Sequence, residues 1–140
     1  MYKKLFTYLL LVLGLLLVVN SCKKEEATPP DGSDKRDKFL NTWICDEFSS
    51  ITGSNPAFNV FIVKSTSNGG QVLIENFYGL GNSARAIADV VKDSLYIYPQ
   101  IVSGNTVQGS GTLKNTTTIQ LKYTVYDGST NDNVTATLTR

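Results

Sequence analysis

Two segments near the C-terminal end of the chain alternate apolar and polar residues with a period of two. Between residues 117 and 126 every second position is apolar, and Val134, Ala136 and Leu138 continue the pattern among threonines. This period is typical of strands that bury one face and expose the other. Asp127-Gly128 and the polar residues after it predict the hairpin turn between the two strands.

Six further segments are predicted to be strands, and short clusters of Gly, Asn, Asp and Ser separate them. They cover residues 42–48, 57–65, 71–78, 84–91, 95–98 and 106–113. Ser33 or Asp34 can cap a short helical turn over residues 34–38, after which Phe39 and Leu40 dock on the core. Eight sequential strands predict an all-β, antiparallel up-and-down barrel, with a two-sheet sandwich as the alternative. The barrel is favoured because closure removes exposed sheet edges.

The N-terminal segment has a different composition from the rest. Lys3 and Lys4 precede an apolar run over residues 5–19, which is shorter than the roughly 20 residues that a membrane-spanning helix needs. A basic start followed by a short apolar run is typical of a secretory signal peptide. The Pro-Pro-Asp-Gly sequence at residues 29–32 predicts a spacer. We therefore expect a signal peptide over residues 1–21, a flexible tether over 22–33 and one domain over 34–140.

Charge and composition exclude several function classes. The domain carries nine Lys and Arg residues against nine Asp and Glu residues, so it offers no electrostatic footprint for nucleic acid. The chain contains no His, which excludes a His-based catalytic triad and a His-rich metal site. We expect no cofactor and no metal.

Residues 18–22, Val-Val-Asn-Ser-Cys, resemble a bacterial lipobox. The resemblance implies cleavage between Ser21 and Cys22, and acylation of Cys22 with palmitate-type chains that hold the protein on a membrane. The next four residues, Lys-Lys-Glu-Glu, resemble the export tag of Bacteroidota surface lipoproteins, which implies an outer-membrane location with the domain facing outward. A solvated charge run in a linker is the alternative.

Residues 39–43, Phe-Leu-Asn-Thr-Trp, resemble the start of a lipocalin or calycin barrel. In that family a short helical turn leads into a Trp on the first strand, and an Arg near the end of the last strand lies against it. Trp43 and Arg140 match those positions, and a guanidinium over an indole gains a cation–π contact. Most of the chain resembles small Bacteroidota lipoproteins described as lipocalin-like or calycin-like, which have no settled activity to carry over.

Candidate catalytic residues are few. Cys45 shares the inward parity of Trp43 and is interpreted as a buried, inert thiol. Asp46 and Glu47 are neighbours on a strand and point to opposite faces, so they do not form a catalytic carboxylate pair. Glu47 shares the parity of Trp43 and is a candidate ligand contact at the mouth of the barrel. We predict that the protein is not an enzyme.

The tyrosines are the most suggestive set. Tyr96 and Tyr98 alternate with Leu95 and Ile97, so one of the two rows faces outward. Exposed tyrosines stack on sugars or anchor protein partners, although tyrosine is also a routine barrel residue. Tyr123 is a third candidate contact.

Two glycines bear on whether the barrel is hollow. Gly109 and Gly111 share a face with Val107, and their missing side chains either admit a large neighbour such as Trp43 or leave a cavity. A lipid-anchored binding module that holds a small apolar or sugar ligand is therefore the first functional hypothesis. A filled barrel that acts by surface contact, as an inhibitor or adhesin-type protein, is the alternative.

Overall fold

The structure, a computed structural model, describes residues 32–140, which form an all-β unit. A 3₁₀ turn at Asp37–Phe39 precedes the first strand, and a second one, Phe77–Gly79, lies between the fourth and fifth strands. The strands are β1 Asn41–Ser49, β2 Gly53–Ser54, β3 Phe58–Lys64, β4 Gln71–Glu75, β5 Arg85–Val91, β6 Ser94–Val102, β7 Asn105–Asn115, β8 Thr118–Tyr126 and β9 Asn131–Thr139. The predicted signal peptide, Cys22 and nearly all of the tether lie outside the described residues.

The strands close into one antiparallel barrel. From β3 to β9 each strand pairs with the next, and β1 pairs with both β3 and β9. The two-residue β2 only extends the end of β1, so the wall has eight strands. The predicted up-and-down barrel is confirmed, and the two-sheet sandwich is excluded.

Two strands end three or more residues away from their predicted last residues. The fourth ends at Glu75 instead of residue 78, because Asn76 and Tyr78 adopt left-handed backbone conformations with φ of 57° and 56°. The sixth runs on to Val102, past Pro99. Its register with β7 shifts between Ile97 and Gln100, and this bulge accommodates the proline, which has no N–H to donate.

The interior is filled with side chains from alternate positions of every long strand. The largest fully buried side chains include Trp43, Phe39 and Phe77. Gly109 and Gly111 face β8 rather than Trp43. A Cβ on Gly109 would collide with the Lys122 carbonyl oxygen and with Tyr123, so this glycine lets β7 and β8 approach closely.

One end of the barrel is closed by Trp43 and Arg140. The Arg140 guanidinium carbon lies 4.3 Å from the centre of the Trp43 ring. Arg140 also donates from Nη1 to the Leu40 carbonyl (2.7 Å) and from Nε to the Thr116 carbonyl (2.8 Å). The Trp43 indole N–H donates to the Phe39 carbonyl at 2.9 Å. These bonds tie the N-terminal turn, the β7–β8 turn and the chain end into one layer under the core.

Replacing Trp43 with Ala should lower the free energy of unfolding by about 3–5 kcal/mol, because a fully buried large aromatic side chain is lost. Urea denaturation followed by circular dichroism measures the change. Ile44→Thr is the matched control, since Ile44 is the outward-facing neighbour and a β-branched replacement there should cost no more than about 0.5 kcal/mol. A Trp43→Ala protein that unfolds at the parent's urea concentration would show that this contact does not close the barrel.

Candidate functional site

The inner face of the barrel carries a small polar cluster formed by Cys45, Glu47 and Tyr123. Cys45 and Glu47 come from β1, and Tyr123 comes from β8. The Tyr123 hydroxyl donates to Glu47 Oε1, and the Cys45 thiol donates to the same oxygen over 3.7 Å. All three residues are buried, and the exposed fraction of Glu47 is 6%. The cluster is therefore satisfied from within the protein.

Burial dominates the ionisation of this cluster. It raises the pKa of Glu47 above its ordinary value, against the lowering effect of the hydrogen bonds from Tyr123 and Cys45. Burial and the neighbouring Glu47 also raise the pKa of both Cys45 and Tyr123. The thiol is therefore protonated at neutral pH and is a poor nucleophile.

A second carboxylate, Asp132 on β9, fastens the turn that covers this end of the barrel. Asp132 accepts hydrogen bonds from the Ser49 hydroxyl (2.7 Å), from the Ser50 N–H and hydroxyl (2.9 Å each) and from the Tyr78 hydroxyl (2.7 Å). Next to Tyr78, Phe77 packs on Tyr123 with ring centres 4.6 Å apart. The Phe77–Gly79 turn is thus held over the interior by the contacts of Phe77 and Tyr78 with the Tyr123 ring and by the hydrogen bond from Tyr78 to Asp132.

The pKa values of Asp132 and Tyr78 are shifted in opposite directions. Burial pushes the pKa of Asp132 upward, but the hydrogen bonds from Ser49, Tyr78 and Ser50 together hold it below its ordinary value. Burial and the adjacent Asp132 raise the pKa of Tyr78 to about 12. The carboxylate is therefore ionised and the phenol protonated at neutral pH, which is the arrangement that this hydrogen bond needs.

The outer face of strands β6 to β9 carries a groove of about 530 Å³, here called the tyrosine groove. Tyr96 and Tyr98 stand on one side, with exposed fractions of 42% and 63%. Polar side chains line the other side, and these are Gln108, Lys122, Thr124, Asn133 and Thr135. Flat aromatic faces opposite several hydrogen-bonding groups give a surface that can both stack on a ligand and orient it.

A second outer groove of the same volume, about 530 Å³, adjoins the first. Asp46 and Phe48 line it from β1, and it shares Lys122 and Thr135 with the tyrosine groove. The two grooves therefore lie side by side on β8 and β9 and share Lys122 and Thr135 as a common border.

The structure separates the four candidate contacts into two pairs. Tyr96 and Tyr98 lie together on the outer face, whereas the side chains of Glu47 and Tyr123 are buried and bind each other. Tyr123 also borders the tyrosine groove, and Glu47 borders the adjoining groove. Glu47 is thus buried rather than open at the mouth. Ser21 and Cys22 lie outside the described residues.

Sequence reasoning missed the role of Asp132. Its inward position follows from the parity of Val134 and Ala136 on the same strand, so an acid at an inward position was the available signal. The hydrogen-bonding partners of Asp132 come from β1 and from the turn after β4, and these positions could not be read from β9 alone.

Within residues 32–140, the structure holds no group of three or more His, Cys, Asp or Glu side chains placed to bind a metal ion. Over the same residues, no helix has both the length and the apolar character needed to cross a bilayer.

Comparison with known proteins supports the fold alone. No protein-family model and no curated protein matches the chain. Among solved structures, the chain is similar to a redesigned β-barrel, with a TM-score of 0.56 and 16% sequence identity. The match covers 76% of this chain and 95% of the designed one.

Glu47→Gln should make the stability of the protein less dependent on pH. Because burial raises the pKa of Glu47, the folded protein keeps this proton to a higher pH than the unfolded chain, in which Glu titrates near pH 4.3. The parent should therefore lose stability as the pH rises above about 4.5, until the folded carboxyl has ionised as well. The free energy of unfolding of the variant, relative to the parent, should rise over the same range.

Urea denaturation at a series of pH values measures this difference. Asp46→Asn, which changes the exposed acid next to Glu47, is the control and should keep the slope of the parent. A Glu47→Gln profile parallel to that of the parent would contradict the raised pKa of Glu47.

Proposed function

We propose that this protein is a non-catalytic binding module that takes a carbohydrate chain in the tyrosine groove. The observation that carries the proposal is the contrast between the two faces of the barrel. The interior is filled, and its polar groups are bonded to each other, whereas the outer face offers Tyr96 and Tyr98 beside an array of amide, hydroxyl and ammonium groups.

Carbohydrate fits the chemistry of this groove better than a small apolar ligand does. A sugar ring presents an apolar face that stacks on tyrosine and a rim of hydroxyls that need partners. Gln108, Lys122 and Asn133 supply donors and acceptors for such a rim. A small apolar ligand would be only partly covered in an open groove, so little of its surface would be removed from water. The adjoining groove along Phe48 extends the surface in the manner that a chain of sugars requires.

The absence of catalysis is part of the proposal. The Cys45 thiol is buried, and its pKa is raised, so it is not available as a nucleophile at neutral pH. Glu47 and Asp132 are each engaged with hydroxyl donors inside the barrel. Neither acid lines the tyrosine groove, and Glu47, which borders the adjoining groove, is buried with its carboxyl bonded to Tyr123.

The cellular location of the protein is part of the same proposal. The lipobox-like sequence ending at Cys22 and the Lys-Lys-Glu-Glu run after it support a lipid-anchored protein of the Bacteroidota outer membrane, of the kind described as lipocalin-like, with its domain facing outward. The tether over residues 22–33 would hold the groove close to the polysaccharides of the cell envelope.

Removing the ring of Tyr98 should weaken carbohydrate binding about tenfold, which corresponds to the loss of one stacking contact. Isothermal titration with a panel of envelope and plant oligosaccharides identifies the ligand, and amide NMR shifts locate it. We expect the shifts at β6, β8 and β9 on their outer faces. Tyr126→Ala is the matched control, because Tyr126 is also exposed but lies outside the groove.

Two results would contradict the groove as the binding site. One is an equal loss of affinity in Tyr98→Ala and Tyr126→Ala. The other is a set of NMR shifts centred on the inward residues Ile62 and Ile74, which line neither groove and would therefore place the ligand inside the barrel.

Cys22→Ser should abolish membrane attachment, because the thioether that carries the acyl chains cannot form. Metabolic labelling with palmitate, followed by separation of membranes, measures the change. We expect the parent to be labelled and to sediment with membranes, and the variant to be unlabelled and released. Cys45→Ser is the control, since Cys45 is the other cysteine of the chain and should not affect labelling. Label that persists in Cys22→Ser would refute the anchor.

A further inference from the structure

The wall of the barrel is interrupted between β5 and β6. These strands pair at only three positions, from Asp89 with Tyr96 to Val91 with Ser94. The first half of β5, as far as Arg85, pairs only with β4. The second half of β6, as far as Val102, pairs only with β7. Residues 85–88 therefore have no strand partner on the β6 side, and we call this space the β5–β6 gap.

The bulge in β6 explains the gap. The register with β7 shifts between Ile97 and Gln100, at the two residues Tyr98 and Pro99. Proline has no N–H to offer a neighbouring strand, and a bulge bends the strand that carries it. Past this point β6 pairs with β7 alone.

The unpaired backbone of β5 points into this gap. The Ala84 carbonyl accepts a hydrogen bond from the Phe77 N–H, and the Val90 N–H donates one to the Gly70 carbonyl. The backbone N–H and C=O groups of the even-numbered residues along β5 therefore point toward β4. In an antiparallel strand successive residues direct their N–H and C=O groups to opposite sides. Arg85 and Ile87 therefore direct their N–H and C=O groups toward β6, where no backbone meets them.

The side chain of Gln100 stands in for a missing strand at one of these positions. Its Oε1 accepts from the Ile87 N–H at 2.8 Å, and its Nε2 donates to the Ile87 carbonyl at 2.8 Å. The same Nε2 lies 3.1 Å from the Tyr98 carbonyl of β6, to which it also donates. The amide therefore exchanges two hydrogen bonds with Ile87, as the N–H and C=O of one residue in an antiparallel partner strand would, and its second N–H reaches the other wall of the gap. The Arg85 position has no comparable substitute on β6.

We infer that the β5–β6 gap is a strand-addition site, in which an extended segment of a protein partner replaces the Gln100 amide and pairs with β5 at Arg85 and Ile87. The bonds made by Gln100 identify the occupant as a peptide backbone, because the gap already holds one amide in the paired geometry. This partner site goes beyond the proposed carbohydrate function and does not depend on it.

The surroundings of the gap define the side chains that the partner carries. Ile87 and Ile101 stand beside it on the outer face with exposed fractions of 44% and 68%, so apolar side chains at alternate, outward positions would cover them. The inward positions of β5 are Ala86 and Ala88, both fully buried against the filled core. The inward positions of the partner must therefore be small.

A displayed library of random eight-residue peptides, selected on the parent protein and on Gln100→Ala, tests the inference. We expect selected peptides to alternate apolar and small residues and to bind Gln100→Ala about tenfold more tightly, because the competing amide is gone. Hydrogen exchange should slow at the Arg85 and Ile87 amides when the peptide binds. Gln120→Ala, which removes an exposed glutamine of β8, is the matched control and should keep the affinity of the parent.

N-methylation separates backbone pairing from side-chain contact. Methyl groups on alternate peptide amides, the ones that face β5, should abolish binding to the parent as well as to the variant, so the test does not rest on the folding of Gln100→Ala. Retained binding of the methylated peptide, protection at residues other than 85 and 87, or a library without binders would each overturn the inference. Dimerisation of Gln100→Ala without peptide would overturn it in favour of a second copy of the chain.

Discussion

The pairing of β1 with β9 is the constraint on which the rest of the structure depends. Six residue pairs, from Ile44 with Thr139 to Ser49 with Val134, join the two ends of the domain and turn the sheet into a barrel. Closure brings Arg140 under Trp43 at one end and Asp132 beside Ser49 at the other. Each end is thus fastened by residues from the first and last strands. Because closure leaves only a narrow interior, the inward side chains fill it.

The two buried carboxyl groups show how position decides chemistry inside this barrel. Glu47 accepts from one phenol and one thiol, which does not offset the cost of burying a charge, so its pKa is raised. Asp132 collects four hydrogen bonds near the mouth, which stabilise the charge and lower its pKa. The free energy of unfolding therefore falls as the pH rises through the range in which Glu47 titrates. Asp132, by contrast, stabilises the folded protein as long as it is ionised. Both groups lie at the end of the barrel that the Phe77–Gly79 turn covers, and both act on its stability.

The outer face acquires its features from small departures in strand regularity. Gly109 lets β7 and β8 approach closely, beside the depression in which the tyrosine groove lies. The bulge at Pro99 then draws β6 away from β5, and Gln100 bridges the space that is left. A glycine and a proline within eleven residues of the sequence thus shape two neighbouring surfaces. We propose carbohydrate for one and a peptide strand for the other.

The eight long strands, and the faces on which their residues lie, follow from a local period of two and could be predicted before the fold was known. Tyr96 and Tyr98 lie outward and Trp43 lies inward for this reason. The tertiary structure alone decided which strands meet and in what register. The bond between Glu47 and Tyr123, the four donors around Asp132 and the gap beside β5 all join residues that are distant along the chain. The geometry of these contacts depends on the closure of the barrel and on the bulge in β6. Neither can be predicted from a short stretch of sequence, because each depends on which strands pair.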